Sequence, residues 1–230
     1  QVAEMNFMLG ESLYNGGRTL DAAQEYMKTA YGYPTHARSD EAAYAAVLAY
    51  ERNAKEVPPA DRAAALHLAI DSSLKLADVF PKHPQVARVL TRSAESYFEL
   101  KDYDNAISVA ARVINFPREV DVVLRRSAWS VTADSQFALK HYAQAETGYG
   151  EELKLTTRNS AAWAEVTEQL AASIYKQGEV ARDANDLRSA AAQFLRGGKV
   201  TPTENTSATS DYDGASMRSQ LEDGTADEAV

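Results

Sequence analysis

The order of hydrophobic and polar residues along the chain follows helical spacing. No stretch shows the alternating Val, Ile and Thr pattern of a half-buried strand. The chain is rich in Ala, Leu, Glu, Arg, Gln and Lys, which all favour helices. The sequence therefore predicts an all-α protein.

Three stretches repeat one set of offsets. In each, a small residue in a first helix is followed by an Ala at twelve positions and by an aromatic residue or Ala at sixteen. The sets are Gly10, Ala22 and Tyr26; Ala94, Ala106 and Ala110; and Ala133, Ala145 and Tyr149. We call the first member the crossing residue, because a small side chain there lets the second helix approach closely. Each stretch is thus predicted to be a helical hairpin, and hairpins of this kind stack to cover their apolar faces.

Three segments resemble the tetratricopeptide repeat family and its pattern W-x2-L-G-x2-Y, A-x3-F, P. They read "YFELKDYDNAI", "LGESLYNGGRTLDAAQEY" and "AWSVTADSQFALKHYAQAETGY". The resemblance implies an all-α solenoid of helical hairpins wound as a right-handed superhelix, with the first helices lining a concave groove. The crossing residues Ala94 and Ala133 are 39 positions apart, which is longer than the family's usual spacing of about 34.

The pairs Tyr33-Pro34, Phe80-Pro81 and Phe116-Pro117 end three of the units. Longer helices with such endings look like bacterial envelope members of the family, namely BamD-type outer-membrane assembly lipoproteins and TolA-binding coordinators. This narrower resemblance implies a location in the bacterial periplasm or cell envelope, and a cytoplasmic location stays open.

We expect residues 1–197 to form about five hairpins, with Pro58-Pro59 separating the helices of the second. In the fifth, a long first helix should run to about Asn185, with Asp183 where the partner Ala belongs. Residues 198–207 are predicted to be a linker from their composition. Residues 208–230 are predicted to be the first helix of a further, truncated repeat, with Met217 as its crossing residue and Ala229 twelve positions later.

Charge and composition exclude several classes of function. The formal net charge is −9 and the 24 Lys and Arg residues are scattered, which disfavours nucleic acid and anionic membranes as partners. The absence of cysteine excludes disulfides and thiolate metal sites. No apolar run approaches the ~20 residues that span a bilayer.

No residue set predicts catalysis, a metal or a cofactor. The four histidines, at positions 36, 67, 83 and 141, never have the i, i+4 spacing of a helical metal pair. Ser72 and Lys75 form an isolated S-x-x-K that a helix surface explains. "GGKVT" at 197–201 follows a helix instead of a strand, unlike a phosphate-binding loop.

The candidate binding residues repeat with the hairpins. An acid directly follows each crossing residue, and an aromatic residue lies four positions after the crossing residue. A fourth aromatic residue lies at the matching place of the fifth hairpin. The predicted groove residues are Glu11, Tyr14, Glu95, Phe98, Asp134, Phe137 and Tyr175. On this hypothesis the groove binds a protein or peptide segment with basic and apolar residues. Alternatively, the aromatics pack between hairpins and the acids are ordinary solvated residues.

Three functions remain open at this stage. The first is a non-enzymatic scaffold that binds protein segments. The second is a structural array that self-associates through its exposed last repeat, and the third is the helical appendage of a larger enzyme.

Overall fold

The computed structural model of the chain describes the backbone of residues 2–200 and 204–227, and the side chains of 2–200 and 207–221. These residues form eleven α-helices and no strand. The helices are α1 (Val2–Asn15), α2 (Thr19–Tyr31), α3 (Ser39–Glu56), α4 (Arg62–Val79), α5 (Val86–Glu99), α6 (Tyr103–Ile114), α7 (Val122–Ala138), α8 (Tyr142–Lys154), α9 (Ala161–Asp183), α10 (Leu187–Val200) and α11 (Glu204–Asp227). The predicted all-α fold of helical hairpins is confirmed.

The chain divides into two compact units, Gln1–Val120 and Asp121–Val230, which we call unit 1 and unit 2. Unit 1 contains α1 to α6 and unit 2 contains α7 to α11. Within each unit every helix packs on the next along the chain. The pattern of the sequence does not indicate this division.

One turn geometry recurs in four hairpins. The residue seven positions after the crossing residue is left-handed, with φ of 76° at Gly17, 60° at Lys101, 63° at Lys140 and 59° at Asn185. The next backbone N–H donates to the carbonyl five residues earlier, as from Arg18 to Leu13 at 2.9 Å and from Asp102 to Tyr97 at 2.9 Å. This is the Schellman ending, which satisfies the last carbonyls of the first helix and reverses the chain.

The same turn places the crossing residue of the fifth hairpin seven residues later than the sequence predicts. Gly178 lies seven positions before Asn185, where a crossing residue belongs. The residue twelve positions after Gly178 is Ala190, which is fully buried, and not Asp183. A Cβ built on Gly178 would lie 2.7 Å from the Phe194 ring, just as one on Gly10 would lie 2.7 Å from the Tyr26 ring. The register predicted for this unit is therefore wrong, and Gly178 is its crossing residue.

The α3–α4 hairpin is built differently. Its loop, 57–61, contains the predicted break at Pro58-Pro59, and its glycine-free turn has no left-handed residue. The inner face of α3 consists largely of alanines, including Ala42, Ala46 and Ala49, all fully buried. These small side chains let α3 pack closely between its neighbours, where they share one core with residues of α2 and α4.

Helix covers most of the predicted linker. Residues 198–200 belong to α10 and 204–207 to α11, while 201–203 lie outside the described residues. Composition is misleading here because the glycine of this segment serves helix contact: a Cβ on Gly198 would lie 2.7 Å from Asp211 Oδ1. Met217 is half-buried in α11, and Ala229 lies outside the described residues.

Candidate functional site

The acids that follow the crossing residues have unequal environments. Glu11 and Glu95 are exposed, whereas Asp134 is half-buried and accepts a hydrogen bond from the Tyr149 hydroxyl at 2.7 Å. The corrected register adds Glu179, which directly follows Gly178 and pairs with Lys176 at 2.6 Å. Sequence reasoning missed Glu179 because it aligned the fifth unit on the wrong residue.

Two predicted groove aromatics pack across their own hairpin turns. The ring of Phe98 lies 5.6 Å from that of Tyr103, and the ring of Phe137 lies 5.2 Å from that of Tyr142. Tyr14 packs against the core of unit 1, with the Arg52 guanidinium 5.0 Å from its ring centroid. All three are half-buried, and these contacts favour the packing interpretation over direct ligand contact.

Tyr175 occupies a different place from the other predicted aromatics. It lies three positions before Gly178, as Phe7 lies three before Gly10, and its ring is 4.9 Å from that of Phe194. Its hydroxyl donates to Asp213 Oδ2 at 2.6 Å. This hydrogen bond, with burial, raises the pKa of Tyr175 to about 12. Tyr175 therefore links α9 to α10 and α11 within unit 2.

A cleft of about 270 Å³ opens between α3, α4 and α5 of unit 1. Its apolar lining comes from Ala54, Leu66 and Ala69, and the rest consists of Ser96 and charged residues of both signs. Glu95 is the predicted groove residue that lies in this cleft. The cleft therefore combines a small apolar surface with several charged groups.

Two ion pairs join four of the charged side chains that line the cleft. Arg62 binds both carboxylate oxygens of Glu99, at 2.6 and 3.1 Å, and donates to the Ala54 carbonyl at 3.2 Å. That pairing lowers the pKa of Glu99. Arg92 pairs with Glu51 across from α5 to α3. Such bidentate and interhelical pairs fix the orientation of the long side chains.

Burial raises the pKa of Glu51, and it outweighs the opposing effect of Arg92. The Oε1 atom of Glu51 is buried and has no hydrogen-bond partner among the described residues. The burial of this oxygen without a donor agrees with the raised pKa, because it disfavours the ionised form of Glu51.

In unit 2, burial shifts the ionisation of two acids that are not fully exposed, Glu152 of α8 and Asp134 of α7. Glu152 is 5% exposed, and burial raises its pKa to about 7, with the charge of Asp134 adding to the effect. Burial also raises the pKa of Asp134, although the Tyr149 hydrogen bond opposes it. Asp134 is therefore half-buried and hydrogen-bonded within unit 2, whereas Glu95 is exposed.

The described residues contain no group of three or more His, Asp or Glu side chains arranged to hold a metal ion. None of the helices in the described part of the chain is both long and apolar enough to cross a membrane.

The tetratricopeptide repeat family model matches residues 88–116, which contain most of the α5–α6 hairpin. The turn at Lys101 lies inside the matched segment, and the same turn recurs at Gly17, Lys140 and Asn185. The hairpin of α5 and α6 is thus similar to a tetratricopeptide repeat, and three other hairpins share its turn. A search of the curated proteins finds no match.

Three solved structures are similar to this chain at low sequence identity. PilF of Pseudomonas aeruginosa is 17% identical, with a TM-score of 0.43 over 90% of this chain and 95% of its own. A signal transduction ATPase with a tetratricopeptide repeat sensor, from Pyrococcus horikoshii, is 16% identical, with a TM-score of 0.46 over 98% of this chain and 38% of its own. A tetratricopeptide repeat protein from Parabacteroides merdae is 11% identical, with a TM-score of 0.35 over 93% of this chain and 98% of its own.

Proposed function

We propose that this chain is a non-enzymatic scaffold that binds a protein segment in the cleft of unit 1. The observation that carries the proposal is the cleft between α3, α4 and α5, where an apolar lining lies beside oriented charges and the exposed carboxylate of Glu95. The tetratricopeptide-like α5–α6 hairpin supports it, because repeats of this kind typically bind protein partners. The bacterial envelope setting is proposed from the sequence resemblance alone.

The lining of the cleft defines the chemistry of the segment. An apolar side chain of the segment covers Leu66 and Ala69, which removes apolar surface from water. A basic side chain next to it lies close to the carboxylates of Glu51 and Glu95, which both line the cleft. The segment therefore has a basic residue close to an aliphatic one.

Charge reversal tests this site. The partner is captured from an extract of the native cells with the unmodified chain, identified, and titrated by calorimetry into the variant Glu95→Lys. We expect the dissociation constant to rise at least about tenfold, because a repulsive charge replaces an attractive one in the cleft. The matched control is Glu119→Lys, an exposed acid of unit 1 that does not line the cleft.

Equal affinities for Glu95→Lys and the unmodified chain would reject the cleft as the binding site. Equal losses in both variants would show that only the net charge of the chain matters.

A further inference from the structure

One side of α1 is apolar and open to solvent. Val2, Met5, Met8 and Leu9 are all large apolar residues, and their exposure ranges from 47% at Leu9 to 68% at Met5. Spacings of three, four and seven positions put the four side chains on one side of the helix, which we call the α1 face. Single exposed apolar residues are ordinary on a protein surface, whereas a contiguous group of them marks an interaction site.

The matching side of α5 is covered. The positions eight, five and one before the crossing residue, which are exposed in α1, are occupied in α5 by Val86, Val89 and Ser93, each at most 2% exposed. Val89 lies in one core with Ala69 and Leu76 of α4, the second helix of the preceding hairpin. A helix therefore covers in α5 the side that is open in α1.

α9 repeats this arrangement within unit 2. Leu170, Ser173 and Gln177 take the three positions there, and none of them is exposed. Leu170 packs against the core that contains Ala145 and Tyr149 of α8. An α-helix is therefore the kind of segment that fits the α1 face.

Two acids lie along one edge of the α1 face. Glu4 is four positions before Met8 and Glu11 is three positions after it, so both neighbour Met8 on the helix surface. Both acids are exposed, and Glu4 pairs with Arg38 at 2.7 Å. In a two-fold contact a second copy of the chain would bring the same acidic edge together, and each copy has a net charge of −9. Charge therefore favours a basic helix over a second copy.

We propose that the α1 face binds an amphipathic helix of another protein, with aliphatic residues on its apolar side and lysine or arginine along the edge of that side. The aliphatic residues cover Met5, Met8 and Leu9, and the flexible methionines adapt to their shape. A basic residue at the edge lies beside Glu11 and sets the orientation of the bound helix. None of these residues lines the cleft of unit 1, so this surface is separate from the site of the proposed function.

The test uses a helical peptide with leucine and alanine on one face and lysine along the edges of that face. It is added to the full chain labelled with ¹³C at its four methionine methyl groups. Met5 and Met8 lie on the α1 face, whereas Met27 of α2 and Met217 of α11 are half-buried. We expect saturable shifts of the Met5 and Met8 resonances, while those of Met27 and Met217 do not change.

Three variants separate apolar contact from charge. Leu9→Gln should raise the dissociation constant of the peptide at least about tenfold, because less apolar surface is buried on binding. The matched control is Leu68→Gln, which removes a leucine of α4 that is 41% exposed, close to the value for Leu9, and should leave the constant unchanged. Glu11→Lys should weaken binding of the lysine peptide and strengthen binding of the same peptide with glutamate in place of lysine.

Unchanged affinity in Leu9→Gln, or shifts shared by all four methionines, would overturn the proposal. Shifts of Met5 and Met8 that depend on protein concentration without peptide would show that a second copy covers the face, and would overturn it too. Equal binding of the lysine and glutamate peptides would contradict the basic edge. Because the peptide is a defined probe and the α1 face lies outside the cleft, the result is independent of the Glu95 test.

Discussion

Glu152 makes the stability of unit 2 depend on pH through a single buried group. A carboxyl that is 5% exposed loses most of its hydration on folding, so its ionised form is destabilised relative to the unfolded chain. Exposed acids such as Glu11 have no such burial. The ionised form of Glu152 is thus a cost to the stability of unit 2.

Replacing Glu152 by Gln should stabilise unit 2 at high pH. The folded pKa of about 7 lies above the ordinary value of 4.5, so the parent loses stability as pH rises through this window. The gain of Glu152→Gln over the parent should be small at pH 5 and reach up to about 3 kcal/mol at pH 8. Both tryptophans, Trp129 and Trp163, lie in unit 2, so urea unfolding followed by tryptophan fluorescence reports on this unit.

Glu151→Gln is the control for the stability measurement, because Glu151 pairs with Lys154 near the surface and lies on the same turn of α8. A gain of stability that is the same at pH 5 and pH 8 would contradict the ionisation of Glu152 as its cause.

The Schellman turn is the element that repeats, and its left-handed residue is a glycine at only one of four hairpins. Gly17 adopts the required φ without strain, whereas Lys101, Lys140 and Asn185 adopt it with a Cβ. Because a non-glycine residue in this conformation is strained, two of the four turns contain a lysine that a glycine would improve.

Replacing Lys140 by Gly should raise the free energy of unfolding of unit 2 by about 0.5–1 kcal/mol, since glycine removes the strain at φ 63° and this gain exceeds its entropic cost. Tryptophan fluorescence during urea unfolding measures the change. The control is Lys140→Ala, which removes the same exposed side chain but keeps the Cβ. Equal stability of the Gly and Ala variants would contradict the left-handed strain.

Sequence reasoning predicted the hairpins wherever a small residue and its Ala at twelve are both present, as at Gly10, Ala94 and Ala133. The predicted repeat register was wrong in the fifth hairpin, because the segment around "IYKQGE" can be aligned with the repeat pattern in two ways that differ by seven residues. Only the turn at Asn185 distinguishes the two alignments. Glu95, one of the predicted groove residues, lines the cleft of unit 1, but the ion pairs of Arg62 and Arg92 join different helices and leave no local pattern in the sequence.

At the scale of the whole molecule, the chain divides into two compact units, and hairpins with the same Schellman turn occur in both. The cleft proposed as the binding site lies within unit 1, and the pH-dependent stability argued for Glu152 belongs to unit 2. The two are therefore tested with variants in separate units.

The most direct test of the central claim is photo-crosslinking from within the unit 1 cleft. A benzophenone amino acid is placed at Lys55, an exposed residue that lines the cleft, or at Lys82, an exposed lysine of unit 1 that does not. With the captured partner added, the account predicts a crosslink to one continuous partner segment from position 55 and none from position 82. Crosslinking from 82 alone, or equally from both positions, would contradict the claim that the cleft binds the segment.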